Sequence, residues 1–160
     1  MGLWRAVAVL RILVGVGFLF AGISKLLDED LLYGGLMQHL DSYGRAFPLY
    51  ERFLHRFVEF NQEMFVYAAA IGEILVGTCF LTGALVSLAA MGGALLIVNY
   101  GLAISYGNIP VMAVHLLAAR VLLWLGRKGA GLAWGVDGWL VEHVNEAVVL
   151  FPLRRSLPEE

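Results

Sequence analysis

The run FVYAAAIGEILVGTCFLTGALVSLAAMGGALLIVNYGLAIS, residues 65–105, decides the fold. Glu73 is its only charged residue. About 20 apolar residues, at ~1.5 Å rise each, cross a bilayer. Forty-one are too many for one helix and suit two. Thr82-Gly83 lies near the middle, where a turn divides the run into crossings of similar length. The predicted unit is a transmembrane hairpin with one carboxylate inside it. A carboxylate at that depth is costly and needs a partner.

Working outward, 160 residues allow one domain, placed at 1–150, with a mobile tail expected over 151–160. Hydrophobic residues make up 60% and charged residues 15%, against roughly 25% charged in soluble domains, so an integral membrane protein is predicted. A net charge of −2 gives no basis for nucleic-acid binding. Cys79 is the only cysteine, which excludes an intrachain disulfide, a dithiol relay and a CxxCH haem attachment. It reads as a small apolar filler. No His/Cys/Asp/Glu cluster has metal-ligand spacing, so no metal site is expected.

The crossings are predicted over about 4–27, 64–81, 84–103 and 111–125. The N-terminal run carries Arg11 and Lys25 and lacks an AxA-like cleavage site, so it reads as a retained first crossing. Arg11, Gly15, Phe18, Gly22 and Lys25 fall at steps of four and three, on one helix stripe where glycines admit a close neighbour. The long first connection begins with Asp28, Glu29 and Asp30. A short helix is expected around 31–43. Over 49–63, Leu49, Phe53, Phe57, Phe60 and Met64 recur at helical spacing, as in an amphipathic helix lying at the interface. The fold class is therefore all-α, a four-helix membrane bundle with an interfacial helix. Arg5, Arg127, Lys128, Arg154 and Arg155 share one side against Arg45, Arg52 and Arg56, which favours both termini in the cytoplasm. Trp4, Tyr33, Tyr43 and Trp124 read as interfacial aromatics.

Counting residues from the crossing ends gives two polar layers. The inner one holds Glu73, Arg120 and Arg11, and matched depth predicts a Glu73–Arg120 ion pair with Arg11 as second cation. The outer one holds Lys25, Asn99 and His115, candidate donors to a quinone or other ligand. Such a charged set either pins helices in register or serves a ligand or proton. His115 alone in the crossings cannot give paired-histidine haem ligation.

Three stretches resemble the DoxX-like membrane proteins: RILVGVGFLFAGISK at 11–25, FVYAAAIGEILVG at 65–77 followed by LTG at 81–83, and GAGLAWGVD at 129–137. The segment 50–64 leading into Phe65 is similar to the DoxD branch, which is associated with the membrane subunit of a thiosulfate:quinone oxidoreductase. The resemblance implies Arg11, Lys25, Glu73 and Asp137, with the helix-contact glycines Gly15, Gly22 and Gly77, as family-motif positions. It also implies a subunit of a membrane redox complex in a bacterial cytoplasmic membrane, in contact with lipid and with other membrane or cofactor-bearing subunits. The chain carries no flavin or nicotinamide fingerprint and no cysteine pair. A redox role would thus need a partner that carries the cofactor, and whether the chain is itself an enzyme stays open. The alternatives are a structural or assembly protein that binds nothing small, and a self-sufficient enzyme using Glu73 as acid or base.

Overall fold

The computed structural model describes residues 2–144 and 146–153. Eight α-helices follow in order: α1 (Gly2–Leu27), α2 (Leu36–Tyr43), α3 (Pro48–Phe53), α4 (Gln62–Thr82), α5 (Val86–Ile104), α6 (Ile109–Arg127), α7 (Val136–His143) and α8 (Glu146–Leu150). No strand occurs among the described residues, apart from an isolated bridge between Arg45 and Ser105. Four helical runs are long and apolar enough to cross a bilayer: Trp4–Leu27, Pro48–Thr82, Val86–Ile104 and Ile109–Arg127. The molecule is an all-α, multi-pass membrane bundle.

The hairpin turns where the glycine allows it. Gly83 adopts φ +72°, and its N–H donates to the Cys79 carbonyl to end α4. The last crossing is longer than the expected 111–125. Asn108 accepts from the Val111 N–H, Pro110 occupies the first turn, and the helix runs 19 residues, ~28 Å at ~1.5 Å each.

Helix α1 packs along α4 and α5 along α6, with α4 and α5 joining the two pairs. The α1–α4 seam is set by glycine. A Cβ on Gly15 would lie 2.7 Å from the Leu81 nitrogen, one on Gly77 2.7 Å from the Leu19 nitrogen, and one on Gly22 2.7 Å from the Ala70 carbonyl oxygen. Phe80 and Leu125 are fully buried where the two pairs meet.

The first connection departs from its predicted form. The helix expected over 49–63 is α3, then a π-type turn at Leu54–Val58 and a 3-10 turn at Glu59–Asn61, with Asn61 at non-helical angles before α4. The apolar stripe of Leu49, Phe57, Phe60 and Met64 faces away from the protein, as an interfacial surface does, while Leu54 and Val58 face inward. Over 31–43, the turn Leu31–Gly35 is kinked within itself, with Gly34 at positive φ, and α2 follows it. The first residues of the predicted tail, up to Leu153, pack on the bundle. Ser87 Oγ donates to the Leu150 carbonyl at 2.6 Å and accepts from the Leu153 N–H at 3.2 Å, holding the chain against α5. The rest of that predicted tail, 154–160, lies outside the described residues.

Candidate functional site

Glu73 sits on the buried face of α4, with its side chain 3% exposed. Opposite it on α1 is Gly22, where a Cβ would stand 3.1 Å from Glu73 Cβ. Lys25 is nearly one turn further along α1. Helical side chains lean toward the N-terminus, so its stem folds back to the level of Gly22. Lys25 Nζ donates to both oxygens of Glu73, at 2.8 Å and 2.7 Å. Tyr100, from α5, donates to Glu73 Oε1 at 2.7 Å, and Lys25 Nζ lies 5.4 Å from the centre of its ring. Three helices therefore converge on one carboxylate.

This corrects the predicted pairing. Neither Arg120 nor Arg11 forms a salt bridge with Glu73 among the described residues. Depth fixes a residue's height but not its direction. Arg120 stands on α6, which packs on α5 rather than on α4, and its side chain is exposed. Arg11 is fully buried, but at the opposite end of α4. Its Nη2 donates to the Trp134 carbonyl at 3.0 Å and its Nη1 to that of Ala130 at 3.4 Å, while Nε has no partner among the described residues. Gly83 and Gly135 lie against Nη1, and any Cβ there would collide with it.

Asp137 closes the same end. Its carboxylate accepts from the Leu85 N–H at 2.6 Å and the Val86 N–H at 3.0 Å, capping α5 from a distant part of the chain. Its own N–H donates to the Gly83 carbonyl at 2.8 Å. Burial pushes the Asp137 carboxyl above the ordinary carboxylate range; the two backbone donors and the nearby Arg11 pull it partly back. The glycine-rich segment 129–135 and Asp137 thus clamp α1 to the α4–α5 turn.

At the end of the bundle away from Arg11 and Asp137, Lys25, Asn99 and His115, the layer expected to lie outermost, line one cavity of about 310 Å³. Its apolar wall includes Leu54, Phe65 and Val66. Tyr50 reaches over from α3 and donates to Asn99 Oδ1. His115 Nδ1 donates to the Val111 carbonyl at 2.8 Å, which leaves Nε2 of the neutral ring as an acceptor. A second, wider cavity of about 650 Å³ runs between α1 and α6, past Val14, Gly17, Phe18 and Val121. Lys25 and Tyr100 border both spaces.

A DoxX family profile matches residues 6–105. The chain belongs to the DoxX family. The match takes in α1 to α5, and with them Arg11, Gly15, Gly22, Gly77 and the Lys25–Glu73–Tyr100 set; His115, Arg120 and Asp137 lie beyond it. No curated protein and no solved structure matches the chain.

Tyr50 and Tyr100 are the site residues that sequence reasoning missed in this DoxX protein. A signal existed for Tyr100: a phenol inside an apolar crossing, four residues from its end, needs a hydrogen-bond partner, as its neighbour Asn99 does. Tyr50 carried none, because its contact depends on how the first connection folds over the bundle.

Proposed function

We propose that this DoxX protein is a membrane subunit that holds an isoprenoid quinone for a cofactor-bearing partner in the bacterial cytoplasmic membrane. The observation that carries the reading is the outer cavity, an apolar chamber with a few convergent polar groups. Lys25 has three N–H donors and uses two on Glu73; the Asn99 amide N–H groups make no bond within the described chain. These donors suit the two carbonyl oxygens of a quinone head. His115 Nε2 is an acceptor for the corresponding hydroxyl of the reduced form. The groove between α1 and α6 gives the isoprenoid chain an apolar path from the head toward the bilayer centre. Bound quinone would take up electrons delivered by the partner subunit, while this chain binds and orients the head. The resemblance of segment 50–64 to the DoxD branch supports the same reading.

The test is binding. Protein extracted in native nanodiscs should carry quinone near one per chain, and titration with a short-tailed quinone should saturate. Asn99→Leu and His115→Leu should each weaken the short-tailed analogue by about tenfold, as loss of a hydrogen bond in a low-dielectric site does. Gly17→Phe, at a position where a Cβ would meet nothing within 4 Å, should weaken only a long-tailed quinone. Quinone at the level of an unrelated membrane protein carried through the same extraction would overturn the proposal.

A second reading is supported by the engagement of Glu73 itself, whose oxygens already accept from Lys25 and Tyr100. A charged set satisfied within the chain suits a pin that holds α1, α4 and α5 together in an assembly protein. Glu73→Gln separates the two. Lost assembly with normal quinone binding per assembled complex would mark the charge as scaffolding.

A further inference from the structure

Arg120 lies eleven residues into α6, seven short of Arg127 at its inner end, and so ~10 Å from that end. Its side chain is exposed and makes no hydrogen bond or ion pair among the described residues. The helix wheel explains why. Ala119, Leu122 and Gly126 are buried, and Val114, Ala118 and Val121 border the groove toward α1. Arg120 falls on the remaining face with Leu116 and Trp124, both exposed, one turn to either side. In the membrane this face meets hydrocarbon or another protein. A guanidinium left in hydrocarbon is costly. Reaching the nearer interface is hindered too, because side chains on α6 lean toward its N-terminus, away from the end where Trp124 and Arg127 lie.

We propose that the Leu116–Arg120–Trp124 face of α6 docks a transmembrane helix of a different protein, one that carries an acidic side chain at the depth of Arg120. Charge complementarity selects that occupant. Arginine offers a planar fork of donors that matches a carboxylate, and in a low-dielectric layer the pairing fixes both partner and register. A second copy of this chain does not meet the need. Its carboxylate at that depth is Glu73, eleven residues into α4, which is buried and held by Lys25 and Tyr100. Two copies meeting through this face would instead set Arg120 against Arg120. The inference does not depend on the quinone reading.

The probe is a synthetic polyleucine transmembrane peptide with one aspartate at its centre, set against the all-leucine peptide. Full-length protein and peptide carry a fluorescent donor and acceptor in phosphatidylcholine vesicles, and energy transfer is followed as peptide is added. The aspartate peptide should associate about tenfold more tightly with the wild type than with Arg120→Leu, a difference typical of one polar contact between membrane helices. Arg120→Lys should restore part of it, and the all-leucine peptide should not discriminate. Thermal unfolding of each variant reports that the fold is retained, and Arg120→Gln gives a second neutral variant. Equal association of the aspartate peptide with wild type and both neutral variants would overturn the proposal. So would its displacement by phosphatidylglycerol, which would make lipid phosphate the partner, or loss of self-association in Arg120→Leu, which would make it a second copy.

Discussion

A carboxylate removed from water and bonded to one lysine and one tyrosine is a set whose members fail separately. Glu73→Gln leaves Lys25 beside a neutral amide in a mostly apolar setting. Breaking a buried pair in this way costs ~3–5 kcal/mol, and the low end applies because Lys25 keeps 27% exposure. Thermal unfolding in detergent should show that loss. The double variant Lys25→Met/Glu73→Leu should recover most of it, since no charge is left unmatched. If the double variant is as unstable as the sum of the singles, the residues are not coupled. Glu73 was legible in the sequence as a charge needing a partner. The partner was not, because residue counting gives height along the membrane normal and is silent on which face of the bundle each helix occupies. Lys25 and Glu73 also meet only because a lysine stem reaches back most of a turn, which a level-by-level count does not include.

Among the elements, the glycine stripe made α1 legible as a helix with a close neighbour but did not name α4 as that neighbour, and the seam predicts its own sensitivity. Gly77→Ala places a Cβ 2.7 Å from the Leu19 backbone nitrogen, so the helices must separate. Overpacking of this kind costs ~1–3 kcal/mol. Gly17→Ala, on α1 but facing open space, should be neutral or stabilising by up to ~1 kcal/mol through helix propensity. Comparable losses in both would show that the close approach is not what the seam glycines provide. The α7 cap was only half visible. The aspartate stood out within GAGLAWGVD, but its action on the start of α5, about fifty residues earlier, is a tertiary contact that no local pattern encodes. Asp137→Asn keeps the shape and removes the charge. Burial raises the folded-state pKa above the unfolded one, so the contribution of this carboxyl is fully present at low pH and declines as pH rises through the folded value. The stability advantage of wild type over Asp137→Asn should therefore be largest at or below the ordinary carboxylate range, ~4, and shrink as the pH rises above it. An advantage that grows with pH would mean that Arg11 and the α5 amides outweigh burial.

For the whole molecule, four apolar runs and one long polar connection were enough to specify an all-helical bundle, because each crossing must satisfy its own backbone. The two cavities were not legible. They exist where α1 and α6 fail to close and where the first connection folds over the outer end, and neither gap has a residue pattern of its own. Topology is the global property that charge does set. With four crossings the sequence counts Arg5, Arg127, Lys128, Arg154 and Arg155 toward the side of the termini, against Arg45, Arg52 and Arg56 in the first connection. Lysine and arginine near the crossing ends resist translocation, so the termini should be cytoplasmic and the 28–61 connection external. The single native cysteine makes this measurable. In a Cys79→Ala background, Ser42→Cys on the exposed end of α2 should react with a membrane-impermeant maleimide in intact cells, and Glu142→Cys on exposed α7 only after permeabilisation. The reverse pattern would mean that five cations against three do not orient this bundle. Three crossings separate the two sites, so labelling of both from one side would require an even number between them and would overturn the four-span architecture itself.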